Sequence, residues 1–333
     1  MKNPLMRFCV GALILAASTV AMALPTAKVT VEVLDENGRP ISDAEAGLGC
    51  KKPNAGWGWG AMHHDPIRKQ TDSDGMATIS CETVNDIGVS AVKGGYYLGF
   101  ERVTIESISG FGPFKRYKPW NPTITVKLKK KRNPIPMYAR GIKTTIPAKG
   151  VPVGFDLEEG DWVIPYGSGR VKDFIFYFNV QTKDGGSEWD GVTAITFSNE
   201  TDGIQDWYLD PDNRSVLRMP YHTPKMGYEN KWSRREYSIW VEKEASSHVT
   251  ALRKDQNYFF RIRSKKDDDG NVIGGLYGKI HGNISFSPRG ILKFLYYLNP
   301  VPGDTNVEYN VGHNLAKEIK KKNHWARINI DQP

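Results

Sequence analysis

The stretch from Lys28 to Cys81 limits the fold of this chain more than any other. Val29, Val31 and Val33 alternate with Lys28, Thr30 and Glu32, a period of two that puts one face of a strand into a core. Asn37-Gly38 then supplies the positive φ that a tight turn requires, and Pro40 closes the turn before Ile41. Beyond it Ala44, Ala46, Leu48 and Cys50 share one face, and Ala77, Ile79 and Cys81 share another after an insertion. The pattern predicts a small β-sandwich with both cysteines turned inward.

The spacing of Val31, Val33, Asp35, Gly38, Pro40, Ile41 and Ala44, followed by Thr71, Asp72 and Gly75 ahead of an apolar strand, resembles the carboxypeptidase regulatory-like domain, a transthyretin-like sandwich. The resemblance covers residues 28–128. It implies a non-catalytic accessory or binding module and transfers no active-site residue. One departure is the insertion between Lys51 and Lys69, where the family pattern implies a shorter connection.

Lys2 and Arg7 precede an apolar run from Phe8 to Val20, and Ala21-Met22-Ala23 offers small residues where a signal peptidase reads them. Residues 1–23 are therefore expected to be a secretory signal. Ser18 and Thr19 interrupt the run, which falls short of the roughly 20 apolar residues of a spanning helix, and Cys9 comes too early for a lipid anchor. No transmembrane segment is expected after cleavage, and the location is periplasmic or extracellular. Cleavage removes two cations and no acid, so the net charge falls from +8 to 8 minus 2, or +6. A basic exported chain suits anionic envelope polymers, and export argues against a nucleic-acid partner. Only Cys50 and Cys81 remain, and in an oxidising compartment they are expected to form a disulfide.

The insertion Gly56-Trp57-Gly58-Trp59-Gly60-Ala61-Met62-His63-His64-Asp65 reads as a loop that presents aromatic surface. One reading makes Trp57 and Trp59, rimmed by Lys52 and Arg68, a stacking platform for a sugar ring or a docking patch for a partner. The other folds both indoles over the sandwich edge. Met62, His63 and His64 are also soft and imidazole ligand types, which opens a metal reading if the loop bends adjacent histidines together. No cofactor is implied.

The first sandwich, residues 24–128, is expected to end on Ile124, Val126 and Leu128. Residues 129–136, Lys-Lys-Lys-Arg-Asn-Pro-Ile-Pro, read as an extended linker. The second region, residues 137–333, is again β-rich. Phe174–Phe178 and Ile291–Leu298 are apolar on both faces and suit strands buried between layers. Tyr258–Arg263, a turn at Asp269-Gly270-Asn271 and Leu276–Phe286 form a long hairpin. The expected fold is all-β, with a larger β-sandwich or jelly-roll-like domain after the small one. A short C-terminal helix is expected over Asn314–Lys322. Leu276-Tyr277-Gly278-Lys279-Ile280 and Tyr297-Leu298-Asn299-Pro300 are similar to stretches in exported bacterial β-rich proteins of unassigned function.

His-Glu-x-x-His, Gly-x-Ser-x-Gly, a phosphate loop and a dinucleotide fingerprint do not occur. A glycosidase carboxylate pair has no fixed spacing, and its candidates are Glu158, Glu159, Asp161 and Trp162, then Glu188, Trp189 and Asp190, then Asp206 and Trp207. Each cluster equally suits turns at strand ends. Asp267-Asp268-Asp269-Gly270-Asn271 departs from calcium-loop spacing and reads as a hairpin turn. The expected function is an exported, non-enzymatic binding or structural protein acting on envelope glycan or protein. The alternatives are a carbohydrate-active enzyme with carboxylates in the second domain and a periplasmic metal-binding protein.

Overall fold

The alternating segments fold as strands. The computed structural model describes residues 24–53, 62–84, 87–183, 188–241, 244–249, 252–316 and 330–331, with the backbone alone at 52–53, 62–65, 239–241 and 244–249. Among the described residues every regular element is a strand, apart from one 3-10 turn at Gly112–Phe114.

The first sandwich contains β1 (Thr26–Asp35), β2 (Glu45–Pro53), β3 (Met62–Gln70), β4 (Met76–Glu82), β5 (Ile87–Val92), β6 (Gly99–Val103), β7 (Ser107–Ser109), β8 (Arg116–Lys118) and β9 (Thr123–Leu128). One sheet runs β4-β1-β8-β7, with β9 also beside β1, and the other runs β3-β2-β5-β6. Val29, Val31 and Val33 meet Ala46, Leu48, Ala77 and Ile79 in the core between them. Cys50 of β2 and Cys81 of β4 join the two sheets through a disulfide, as expected. With a sequence separation of 31 between the cysteines, loop closure contributes about 3 to 4 kcal/mol on the chain-entropy model.

The turn residues show why their spacing matters. Asp35 Oδ1 accepts the N–H groups of Asn37 (2.8 Å) and Arg39 (2.9 Å), and Gly38 takes φ +77°. The buried Thr71 hydroxyl donates to the Ile41 carbonyl (2.7 Å) and accepts from the Ala44 N–H (2.9 Å). Gly75 has φ +73°, and a Cβ there would lie 2.7 Å from the Val33 carbonyl, so only glycine lets the chain pass so close to β1.

The insertion differs from the loop the sequence suggests. β3 pairs with β2 continuously from Glu45↔Gln70 to Pro53↔Met62, so Met62-His63-His64-Asp65 is strand backbone. Pairing satisfies main-chain groups that a loop would leave to solvent. Pro66 is tolerated because, among the described residues, β3 is an edge strand with only β2 beside it.

The second sandwich follows with β10 (Ile135–Thr145), β11 (Val153–Asp156), β12 (Asp161–Trp162), β13 (Phe174–Lys183), β14 (Glu188–Thr196), β15 (Gly203–Tyr208), β16 (Lys231–Val241) and β17 (Glu244–Val249). It is completed by β18 (Gln256–Lys266), β19 (Val272–Ile280), β20 (Ser285–Phe286), β21 (Ile291–Leu298) and β22 (Tyr309–Asn314). A six-stranded sheet, β12-β11-β13-β14-β16-β17, faces a seven-stranded one, β15-β18-β19-β21-β10-β22, with β20 beside β21. Phe174 of the first meets Phe260 of the second edge-on, with ring centroids 5.2 Å apart. Asp267 accepts the Asn271 N–H (2.7 Å) to close the β18–β19 hairpin.

Two expectations need correction. β13 is buried on one face only: Phe174, Phe176, Phe178 and Val180 point inward, while Ile175 and Tyr177 are half-buried on the outer face of the six-stranded sheet. β21 is buried on both, because Leu295 and Tyr297 pack beneath Met137, Met219, Val307 and Tyr309 in a second apolar layer. No α-helix occurs among the described residues. The helix expected over Asn314–Lys322 starts on a residue that instead ends β22, where the Asn314 side chain bonds both main-chain groups of Ala139. The segment from 317 onward lies outside the described residues.

Candidate functional site

Trp57 and Trp59 lie outside the described residues. Lys52 pairs with His63 along the β2–β3 ladder, and Pro53 with Met62, but the side chains of Lys52, Met62, His63 and His64 are outside the description. Arg68 is exposed on β3 and forms an ion pair with Glu45 at 2.8 Å.

Of the acidic clusters, the one around Glu158 is committed to holding a loop. Asp156 accepts N–H groups from Glu158, Glu159, Arg170 and Val171. Asp161 accepts from Trp162 and Ser168. Trp162 is buried, with its indole N–H on the Thr144 hydroxyl (3.1 Å). Into this loop reaches Arg263 of β18, which takes φ +54°. Its guanidinium grips Asp173 with two bonds (2.8 and 2.9 Å) and Glu158 with a third (2.8 Å). Burial raises the Asp173 carboxyl to about 6 although Arg263 pulls it the other way. Burial also opposes the charge on Asp156, but backbone donors and Arg263 outweigh it and hold that carboxyl below its ordinary value. The network ties β18 of one sheet to the segments that follow β11 and precede β13 in the other.

The second cluster divides across β14. Trp189 is buried against Phe286, whereas Asp190 forms a forked bond to Arg235 (2.9 and 2.5 Å) that holds its carboxyl low. Glu188 and Asp190 line a groove of about 460 Å³ with Gln181, Lys183 and Tyr237. The third cluster, on β15, leads to the larger site. Asp206 accepts from Gln256 (3.2 Å), and Trp207 packs edge-on against Phe259 (5.3 Å) at the wall of a cleft of about 710 Å³ between the two sandwiches.

Glu36, Glu101, Lys127 and Lys129 form the first sandwich's wall of this cleft, and Trp207, Tyr208, Asp210, Asp212, Arg214 and Arg218 form the other. Tyr208 is half-exposed, with the Arg253 guanidinium 4.8 Å from its ring centre. Asp210 accepts the Asp212 N–H (2.9 Å). Glu36 faces the Tyr221 hydroxyl (3.1 Å) and the Arg132 guanidinium (3.5 Å). Burial depresses the Lys129 amine, which donates to the Leu217 carbonyl (3.0 Å).

A seam beside the cleft fixes its width. Main-chain bonds run from Phe100 N to the Arg214 carbonyl (3.0 Å) and from Val216 N to the Leu98 carbonyl (2.9 Å), so a segment of the second sandwich adds to the edge of β6. Tyr97, Leu217 and Tyr221 pack together there. The buried Glu308 carboxylate accepts from the Tyr97 hydroxyl (3.0 Å), Arg132 N (2.9 Å) and Asn133 N (2.7 Å). Residues expected to form an extended linker are thus bonded to both sandwiches. Nearby, Lys279 of β19 is fully buried and its amine has no hydrogen-bond partner among the described residues. It sits 5.1 Å from the Tyr297 ring centre, and burial lowers it to about 7.

Neither Glu308 nor Lys279 was singled out by the sequence reasoning. A lysine inside the apolar run Leu276–Ile280 was the one available signal for the second. Glu308 had none, since its partners lie more than a hundred residues away.

No family model matches the chain, and no curated protein does. Among solved structures it bears a distant likeness to two pilin subunits. The shaft pilin SpaA of Lactobacillus rhamnosus GG is 10% identical over 80% of this chain and 97% of that one, with a TM-score of 0.22. BcpA, the major pilin subunit of Bacillus cereus, is 12% identical over 83% and 96%, with a TM-score of 0.20. Likenesses this weak carry no argument about fold or role.

Proposed function

We propose that this chain is an exported, non-enzymatic binding protein of the cell envelope and that its ligand is a glycan segment lying in the cleft between the sandwiches. The observation that carries the reading is the cleft's composition. Trp207 and Tyr208 give it aromatic faces, and carboxylates and cations from both walls stand beside them. Sugar rings offer apolar faces for stacking and hydroxyl edges for polar partners, so this combination suits them. The cleft's size falls within the range of small-ligand sites.

Export draws its support from the charged, then apolar, then small-residue N-terminus and from the Cys50–Cys81 disulfide, which persists in oxidising compartments. In this reading the first sandwich is a carboxypeptidase regulatory-like module and supplies one wall. A glycan array on the mature protein, followed by calorimetric titration of any hit, tests the proposal. Tyr208→Ala should lose most of the affinity while the thermal midpoint holds. No binding on the array, or a Tyr208→Ala protein that binds as the parent does, would reject the cleft as the site. Hydrolysis of a bound glycan, lost in Glu101→Gln or Asp212→Asn, would turn the reading to a carbohydrate-active enzyme.

A further inference from the structure

The hairpin of β7 and β8, with the 3-10 turn between them, carries a second feature that the cleft does not use. β7 is the outer strand of its sheet. The ladder pairs Ser107↔Lys118, Ile108↔Tyr117 and Ser109↔Arg116. Tyr117 is buried and anchors the hairpin through its hydroxyl on the Thr83 carbonyl (3.0 Å). Beyond that anchor Ile108, Phe111, Phe114 and Arg116 are exposed, and Lys115 is half-buried. Phe111 is 81% exposed, Phe114 is 68% exposed and Ile108 is 53% exposed. These are among the most exposed large apolar side chains described in the protein, and they lie within seven positions of one another. Isolated exposed apolar residues need no explanation, but a cluster on one projecting turn does.

The turn's backbone is specified for this display. Gly110 takes φ +80°, and a Cβ there would collide with the Phe114 carbonyl. The Phe114 N–H closes the turn on the Phe111 carbonyl (3.1 Å). Directly behind the two phenyl rings come Lys115, Arg116 and Lys118, against one acid, Glu106. The Arg116 guanidinium lies 4.7 Å from the ring centre of Trp120, which is itself partly exposed. The order along the hairpin is therefore apolar tip, then cations, then an indole.

We propose that this hairpin docks the protein onto an anionic phospholipid bilayer, with Phe111 and Phe114 entering the acyl boundary while Lys115, Arg116 and Lys118 meet lipid phosphates. The match is one of layering and charge. A bilayer surface places apolar depth beyond a negatively charged plane, and the hairpin presents its phenyl rings beyond its cations in the complementary order. Indole and guanidinium groups suit the headgroup level between the two. A protein partner would need a concave apolar pocket to receive the tip, and the cationic collar would then have no general role.

The test is flotation of the full mature chain with vesicles of phosphatidylcholine mixed with phosphatidylglycerol, and with vesicles of phosphatidylcholine alone. Binding should occur on the mixed vesicles, weaken with added salt and be much poorer without the anionic lipid. Phe111→Ser with Phe114→Ser should lower the partition by about tenfold per ring. Replacing Lys115, Arg116 and Lys118 by Gln should lower it about fivefold per cation. Unchanged thermal midpoints would show that both variants remain folded, as expected for exposed positions. The proposal is overturned if the parent protein floats with neither vesicle, or if the double Phe variant floats as the parent does. It is equally overturned if the hairpin instead retains an envelope protein in lipid-free extract and this contact is lost in the Phe variant.

Discussion

Replacing Lys279 with methionine should stabilise this protein, most strongly below neutral pH. The amine is fully buried without a hydrogen-bond partner among the described residues, and burial lowers it from 10.5 to about 7. Glu308 favours the ammonium form and Lys129 opposes it, while the Tyr297 ring supplies a weak cation–π contact. A fall of this size corresponds to about 5 kcal/mol between the charged and neutral states. Below the folded value both folded and unfolded chains hold the proton, so the whole burden of a buried ammonium falls on the folded state. From about 7 up to 10.5 only the unfolded chain holds it, and stability rises with pH by roughly 1.4 kcal/mol per unit. Methionine fills nearly the same volume and does not titrate.

Urea denaturation of both proteins at about pH 6 and about pH 9 separates the possibilities, since the slope belongs to one group. Lys279→Met should be more stable by about 1 to 4 kcal/mol at the lower pH, and its advantage should shrink or vanish at the higher one. A variant less stable than the parent at the lower pH would refute the reasoning, because it would mean that the ammonium has a partner worth more than its desolvation. Parallel pH curves for the two proteins would refute it as well.

Three further outcomes follow from side chains with defined partners. Asp173→Asn should lower stability by about 3 kcal/mol by leaving the Arg263 guanidinium short of its two-pronged partner, read as a drop in the denaturation midpoint of the second sandwich. Cys81→Ala should remove about 3 to 4 kcal/mol from the first sandwich, and reducing agent should have the same effect on the parent and none on the variant. Glu308→Ala should strand the Tyr97 hydroxyl and the Arg132 and Asn133 N–H groups, at roughly 3 kcal/mol or more. Trypsin should then cut at Lys129–Arg132, where the parent protein should resist, and calorimetry should show the two sandwiches melting apart.

The first sandwich was legible because its information is local. Alternation in β1, the turn at Gly38 and the inward register of Cys50 and Cys81 each depend on neighbours within a few residues, and the structure repeats them. β13 was misread because Ile175 and Tyr177 look as apolar as Phe174 and Phe176, and composition alone does not tell a covered sheet face from an open one. The charge network was out of reach for a different reason. Asp156 and Asp173 stand near the flagged acids, but what fixes their role is Arg263, about 90 residues further on and held in a left-handed conformation that its sequence does not announce. The cleft combines both cases: Trp207 drew notice by its neighbour Asp206, while the opposite wall comes from Glu36, Glu101 and Lys127 in the other sandwich.

That division of the cleft between two sandwiches would ordinarily suggest walls that open and close about a hinge, since domain interfaces within a chain are often mobile. The seam argues otherwise. Opening the cleft would break the main-chain bonds between Leu98–Phe100 and Arg214–Val216. It would also expose Tyr97, Leu217 and Tyr221 and leave the buried Glu308 carboxylate without its donors. Losing the hydrogen bonds to a buried charge is far costlier than losing a surface pair. A ligand bound as proposed would therefore meet walls already at their final spacing, and little of its binding energy would be consumed in ordering them. Selectivity then falls to the fixed placement of Tyr208 and the charges around it, and a looser seam should weaken binding even where no residue of the cleft has changed.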